Sequence, residues 1–149
     1  MTYTPGSNLE EVAHITEHSG GGGLLLDALH FRRFGGTLEQ LRSLDPGLLS
    51  YAQLCDAPLA PPNGLPRLRK LPRGQFTDGT DVQLESRAMR LLPGDGELPL
   101  TGFLAALPEV MPISVEAPVL SLRETLTPIE FGRRARQAVA QVLHARRTV

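Results

Sequence analysis

The sequence holds one cysteine, Cys55, no tryptophan, two tyrosines and five phenylalanines among 149 residues. A lone cysteine closes no internal disulfide, which excludes a disulfide-framed secreted scaffold and leads to the expectation of a reducing, cytoplasmic setting. No stretch nears the roughly 18 uninterrupted apolar residues of a membrane-spanning helix, and residues 1–11 lack the positive and apolar regions of a secretory signal. An excess of either charge is missing too. With 15 Lys+Arg against 16 Asp+Glu, no global field would hold nucleic acid or an anionic membrane, and neither is expected as a partner. Arg67, Arg69, Lys70 and Arg73 cluster with only Phe76 as an aromatic neighbour, which reads as a solvated loop. The run Gly20 to Gly23 precedes an apolar segment and lacks the Gly-Lys-Ser/Thr of a phosphate loop, so it reads as a helix-to-strand connection.

What is present suits one α/β domain. Residues are 41% hydrophobic and 21% charged, and a chain of this size supports a single core without disulfides. Ser7-Asn8-Leu9-Glu10 fits a capping box, with apolar residues at helical spacing behind it, and predicts a helix over 8–19. Leu24 to Phe31 predicts a strand that starts apolar and ends polar. Thr37-Leu38-Glu39-Gln40 opens a short helix that Asp45-Pro46-Gly47 stops, and Leu48 to Asp56 reads as the next strand. Residues 57–97, rich in Pro, Gly and charge, read as a long lid-like loop with one helix near 82–91. A short helix over 99–107, a strand over 113–116 and a last helix opened by Thr127-Pro128-Ile129-Glu130 complete the chain.

This order is a run of βα units with parallel strands, whose C-terminal ends share one rim where such folds bind ligands. A closed (β/α)8 barrel takes about 250 residues, so three or four units are expected, either as a small open sheet or as part of a barrel. Asp27 and His30 sit at one expected strand end, and Glu116 at another. Carboxylates and an imidazole on one rim would suit Mn²⁺, Mg²⁺, Co²⁺ or Zn²⁺, although Asp27 capping a turn beside a satisfied His30 explains the same spacing. Cys55 has no neighbouring base and reads as a small buried hydrophobe.

Four segments taken in order narrow the reading: Leu25-Leu26-Asp27-Ala28-Leu29-His30-Phe31 with Gly35-Gly36-Thr37; Tyr51-Ala52-Gln53-Leu54-Cys55-Asp56-Ala57-Pro58; Arg90-Leu91-Leu92-Pro93-Gly94-Asp95-Gly96-Glu97-Leu98-Pro99-Leu100; and Val115-Glu116-Ala117-Pro118. Together they resemble the sugar phosphate isomerase/epimerase family of xylose isomerase-like TIM barrels, related to ketose 3-epimerases, inosose dehydratases and endonuclease IV. The resemblance runs from about Tyr3 to the last helix. It implies the C-terminal half of the barrel, with the strands ending at Asp27, Gln53 and Glu116 as its sixth to eighth. It further implies Asp27 as a metal ligand, Glu116 as metal ligand and acid/base, and His30 and Arg90 as substrate contacts. Gln53 stands where the ketose epimerases often place a metal-binding histidine.

The resemblance also exposes a departure. Related epimerases use a second glutamate at the end of strand five, and no residue here matches it. Moving a proton between the faces of an enediolate needs a base on one side and an acid on the other. The expectation is therefore a sugar phosphate isomerase/epimerase-like protein, truncated and inactive alone, binding a divalent cation weakly through Asp27, Glu116 and Gln53. Self-association or a complementing N-terminal half-barrel would supply the rest. The rival readings are a non-catalytic remnant serving as an interaction module and a ketosugar or inosose dehydratase.

Overall fold

A computed structural model describes residues 8–66 and 80–146. Helix α1 (Leu9–His18) is capped by the Asn8 side chain, which accepts from the Glu11 N–H at 2.8 Å; Ser7, expected as the cap, lies outside the described residues. Strand β1 (Leu24–Asp27) is shorter than its apolar run predicts. Asp27 ends it by accepting from the His30 N–H at 3.0 Å, and that bond starts helix α2 (Ala28–Arg33). His30 therefore stands on the first turn of a helix and not on the strand end. Thr37 and Gln40 form the expected capping box on α3 (Leu38–Ser43), and a 3-10 turn at Pro46–Leu48 leads into β2 (Leu49–Leu54).

After β2 the chain returns through α4 (Asp81–Ala88), α5 (Leu100–Ala105), β3 (Ile113–Val115), α6 (Leu120–Arg123) and α7 (Pro128–Arg146). The strands pair in the order β1-β2-β3, all parallel, so each strand lies beside the next in sequence as barrel strands do. Leu24, Leu26, Ala52 and Leu54 are buried and join Leu29, Leu41, Phe103, Leu104, Ala135 and Val142 in the core between sheet and helices. Leu25, Asp27 and Gln53 alternate with these residues and face an open cleft on the sheet's other side.

Residues 80–98, most of which were expected to belong to a lid, are built into the fold. Thr80 and Gln83 cap α4 reciprocally. The buried Asp56 carboxylate then accepts from the N–H groups of Ala57, Gly94 and Leu98, each at 2.9 Å, and pulls the Pro93-Gly94-Asp95-Gly96 turn onto the end of β2. Backbone bonds of 2.8 Å in both directions between Asp56 and Leu91 extend that contact. A carboxylate that satisfies three backbone donors fixes a loop that composition alone marks as irregular. The basic cluster from Arg67 to Arg73 lies outside the described residues. Among those described, no helix is long and apolar enough to cross a membrane.

Candidate functional site

All five residues singled out from the sequence line one cleft of about 830 Å³: Asp27, His30, Gln53, Arg90 and Glu116. The parallel strands explain the convergence. Asp27 is paired in register with Gln53 on β2, while the Glu116 N–H donates to the Leu54 carbonyl at 3.0 Å and carries the β2–β3 ladder one residue beyond β3. Arg90 arrives from the segment after α4, and its side chain lies at the centre of the group.

That guanidinium is 2% exposed. Its Nε donates to the Ser86 carbonyl at 2.8 Å, Nη1 to Asp27 Oδ2 at 2.5 Å and to the Glu116 carbonyl at 3.2 Å, and Nη2 to His30 Nε2 at 3.2 Å. Nη1 also lies 3.3 Å from the Cys55 sulfur. Burial alone would lower the guanidinium pKa, but Cys55 and Asp27 more than reverse this and hold it above its ordinary value. Because burial pushes the Cys55 thiol up to about 12, that group is neutral near pH 7. The counter-charge there is the Asp27 carboxylate.

A guanidinium offers only donors, so His30 Nε2 accepts and the ring's proton resides on Nδ1. Burial, assisted by the charge of Arg90 and opposed by the carboxylates of Asp27 and Glu85, lowers the His30 pKa below 6.5. His30 is thus a neutral imidazole tied to the floor of the cleft. Gln53 is half-buried and the Glu116 side chain is exposed at the rim.

A cation held here by Asp27, Glu116 and Gln53 would share a carboxylate that is already engaged. Asp27 gives one oxygen to a helix N–H and the other to a guanidinium, so an ion would meet only the remaining lone pairs, beside the positive charge of Arg90. Among the described residues, the group of three close His, Cys or carboxylate donors is found elsewhere, on α1.

A second buried pair, overlooked in the sequence, supports the same wall. Arg33 on α2 meets Glu85 on α4 through two bonds of 2.7 and 2.8 Å, and also donates to the Pro58 and Leu59 carbonyls. Fork-on-fork pairing of this kind fixes geometry as well as charge. Its partners stand 52 residues apart, so no local pattern announces it. The role of Asp56 was equally hidden, although the Asp-Ala-Pro and Pro-Gly-Asp-Gly turns it joins are visible as motifs.

No protein-family model matches the sequence, and no curated protein does. Solved structures do. The chain superposes on the IolI protein, a structure described as having a binding zinc atom, with a TM-score of 0.67 and 22% identity over 91% of this chain and 43% of that one. A xylose isomerase domain protein from Alicyclobacillus acidocaldarius subsp. acidocaldarius gives 0.66 and 23% over 94% of this chain and 44% of that one. A xylose isomerase-like TIM barrel/4-hydroxyphenylpyruvate dioxygenase fusion protein gives 0.54 and 25% over 72% of this chain and 15% of that one. The chain has the fold of part of a xylose isomerase-like TIM barrel and spans less than half the length of these structures.

Proposed function

We propose that the cleft binds a sugar or sugar phosphate and that the chain contributes the sugar-binding rim of an isomerase/epimerase-like barrel. The observation that carries this reading is the convergence of Asp27, His30, Gln53, Arg90 and Glu116 on one open cleft at the strand C-termini. Chemically, the cleft offers what a polyhydroxy ligand needs: an amide from Gln53, a neutral imidazole held in one tautomer, and a carboxylate at the rim. Xylose isomerase-like neighbours of the same fold agree with a sugar-type ligand.

Within this reading Glu116 is the proton-transferring group. Its exposed carboxylate takes the proton from the carbon next to a sugar carbonyl, the electron pair of that C–H bond moves into an enediolate, and the protonated acid returns the proton. Asp27 and Arg90 position the floor beneath it. The cleft offers one such carboxylate, because Asp27 is held by Arg90, and a complete isomerisation or epimerisation uses two groups. The chain alone is therefore proposed to bind sugar without turning it over, and association through its open sheet edges or with a complementing half-barrel would bring the second group.

The test is ligand-observed NMR with a panel of ketoses and ketose phosphates, followed by deuterium incorporation from solvent. Binding that shifts the Gln53 and Glu116 amides, with no exchange above background, supports the reading. Robust exchange that survives Glu116→Gln would remove Glu116 from its role. Loss of water from a ketosugar would favour a dehydratase, and no sugar binding at millimolar ligand would favour a non-catalytic interaction module.

A further inference from the structure

Helix α1 carries three metal-type donors on one stripe. His14, Glu17 and His18 stand at i, i+3 and i+4, the spacing that brings side chains together on a helix face. One ligand atom from each lies within 4.8 Å of the other two, and all three side chains are exposed. The two imidazole centroids are 4.2 Å apart.

One of these rings is already set for coordination. His18 Nδ1 lies 2.8 Å from the His14 carbonyl oxygen. A carbonyl only accepts, so Nδ1 carries the proton and the neutral ring keeps its lone pair on Nε2. A hydrogen bond from the far nitrogen to a backbone carbonyl is what usually orients a metal-bound histidine and strengthens it as a donor. His18 is also the last residue of α1, where the negative end of the helix dipole favours added positive charge.

We propose that His14, Glu17 and His18 form a surface site for zinc or a similar borderline divalent ion, separate from the cleft, with three protein donors and one position open to water. Two imidazoles and a carboxylate are a donor set that zinc accepts while keeping an open position. The absence of thiolate argues against a soft ion such as Cu(I), and the two nitrogen donors argue against Mg²⁺ or Ca²⁺. Metal bonds of about 2.0–2.2 Å place tetrahedral donors ~3.4 Å apart. The three side chains must therefore draw together by about 1 Å, and being exposed they do so by small torsional adjustments without repacking a core. Of α1 only Ala13 is buried, so an ion that bridges the last turn would add a constraint the packing does not supply.

The experiment uses the whole chain after treatment with a chelator, titrated with zinc sulfate by calorimetry and with cobalt(II) by visible absorption. One zinc per chain is expected, together with a rise in melting temperature as zinc is added. The His14→Ala, His18→Ala double variant should lose the isotherm and the thermal shift while melting normally without metal, since alanine suits an exposed helix position. Glu17→Gln should keep one site and raise its half-saturation concentration. Glu116→Gln serves as the cleft control and should bind as wild type does. Absence of zinc binding at millimolar metal, an unchanged isotherm in the histidine double variant, or loss of binding in Glu116→Gln would each overturn the site.

Discussion

Arg90 and Asp27 are 2% and 4% exposed in their side chains and lie in contact, and the environment that strengthens their attraction also makes either one costly alone. Removing one partner of such a pair typically costs about 3–5 kcal/mol, because the other charge remains buried without compensation. Asp27→Asn and Arg90→Met should each lower unfolding free energy by about that amount in urea titrations. The double variant should cost clearly less than the sum, since the second change removes a charge that the first left stranded. Additive losses would show that the two side chains act independently. His30 adds a pH dependence at the same place. Its folded-state pKa is lowered, so the unfolded chain takes up the proton first, and stability present above pH 6.5 is lost as pH falls from there through the folded value. His30→Gln should flatten that part of the stability profile. Sequence made the capping role of Asp27 visible, because Asp followed three residues later by a helical N–H is a local pattern. It did not reveal the ion pair, whose partners are 63 residues apart.

At the scale of elements, local chemistry was read well wherever donor and acceptor were three residues apart. The Thr37–Gln40 box is present as expected, and Thr127 and Glu130 bond reciprocally at the start of α7 with Pro128 behind the cap. The Thr80–Gln83 box was equally legible but was not read, although the helix it opens, α4 at Asp81–Ala88, was expected near 82–91. What no local pattern contains is the packing of residues 91–98 against Asp56. Gly96 records how close that packing is: a Cβ there would lie 2.6 Å from Asp56 Oδ1 and 2.7 Å from the Ala57 carbonyl oxygen. Gly96→Ala should therefore destabilise by about 1–3 kcal/mol through overpacking. Gly132 is the opposite case, within α7 and with nothing inside 4 Å of its Cβ position, so Gly132→Ala should stabilise by about 0.5–1 kcal/mol. Thermal melts of the two variants that moved in the same direction would contradict this assignment of the glycines.

For the molecule as a whole, the parallel order of the strands was legible because apolar starts and polar ends recur along the sequence, and the shared rim follows from that order. The extent of closure was not, since hydrophobic runs record that strands are buried and not which neighbours bury them. In the three-stranded sheet β1 and β3 each pair only with β2, leaving their outer edges without a strand partner among the described residues. Tyr51 on β2 is also 37% exposed. Unpaired edges template further pairing, but strands of four and three residues offer few bonds, so the association they support should be weak and rise with concentration. Light scattering across the micromolar range should show the average mass climbing above that of one 16.2 kDa chain. Ser114 is exposed at the centre of β3, and a charge placed on an edge discourages pairing. Ser114→Lys should therefore lower the association without unfolding the chain. A mass that stays at one chain over the whole range would mean that the helices beside β1 and the short length of β3 already protect the sheet, and that the cleft functions as an open site on a self-sufficient monomer.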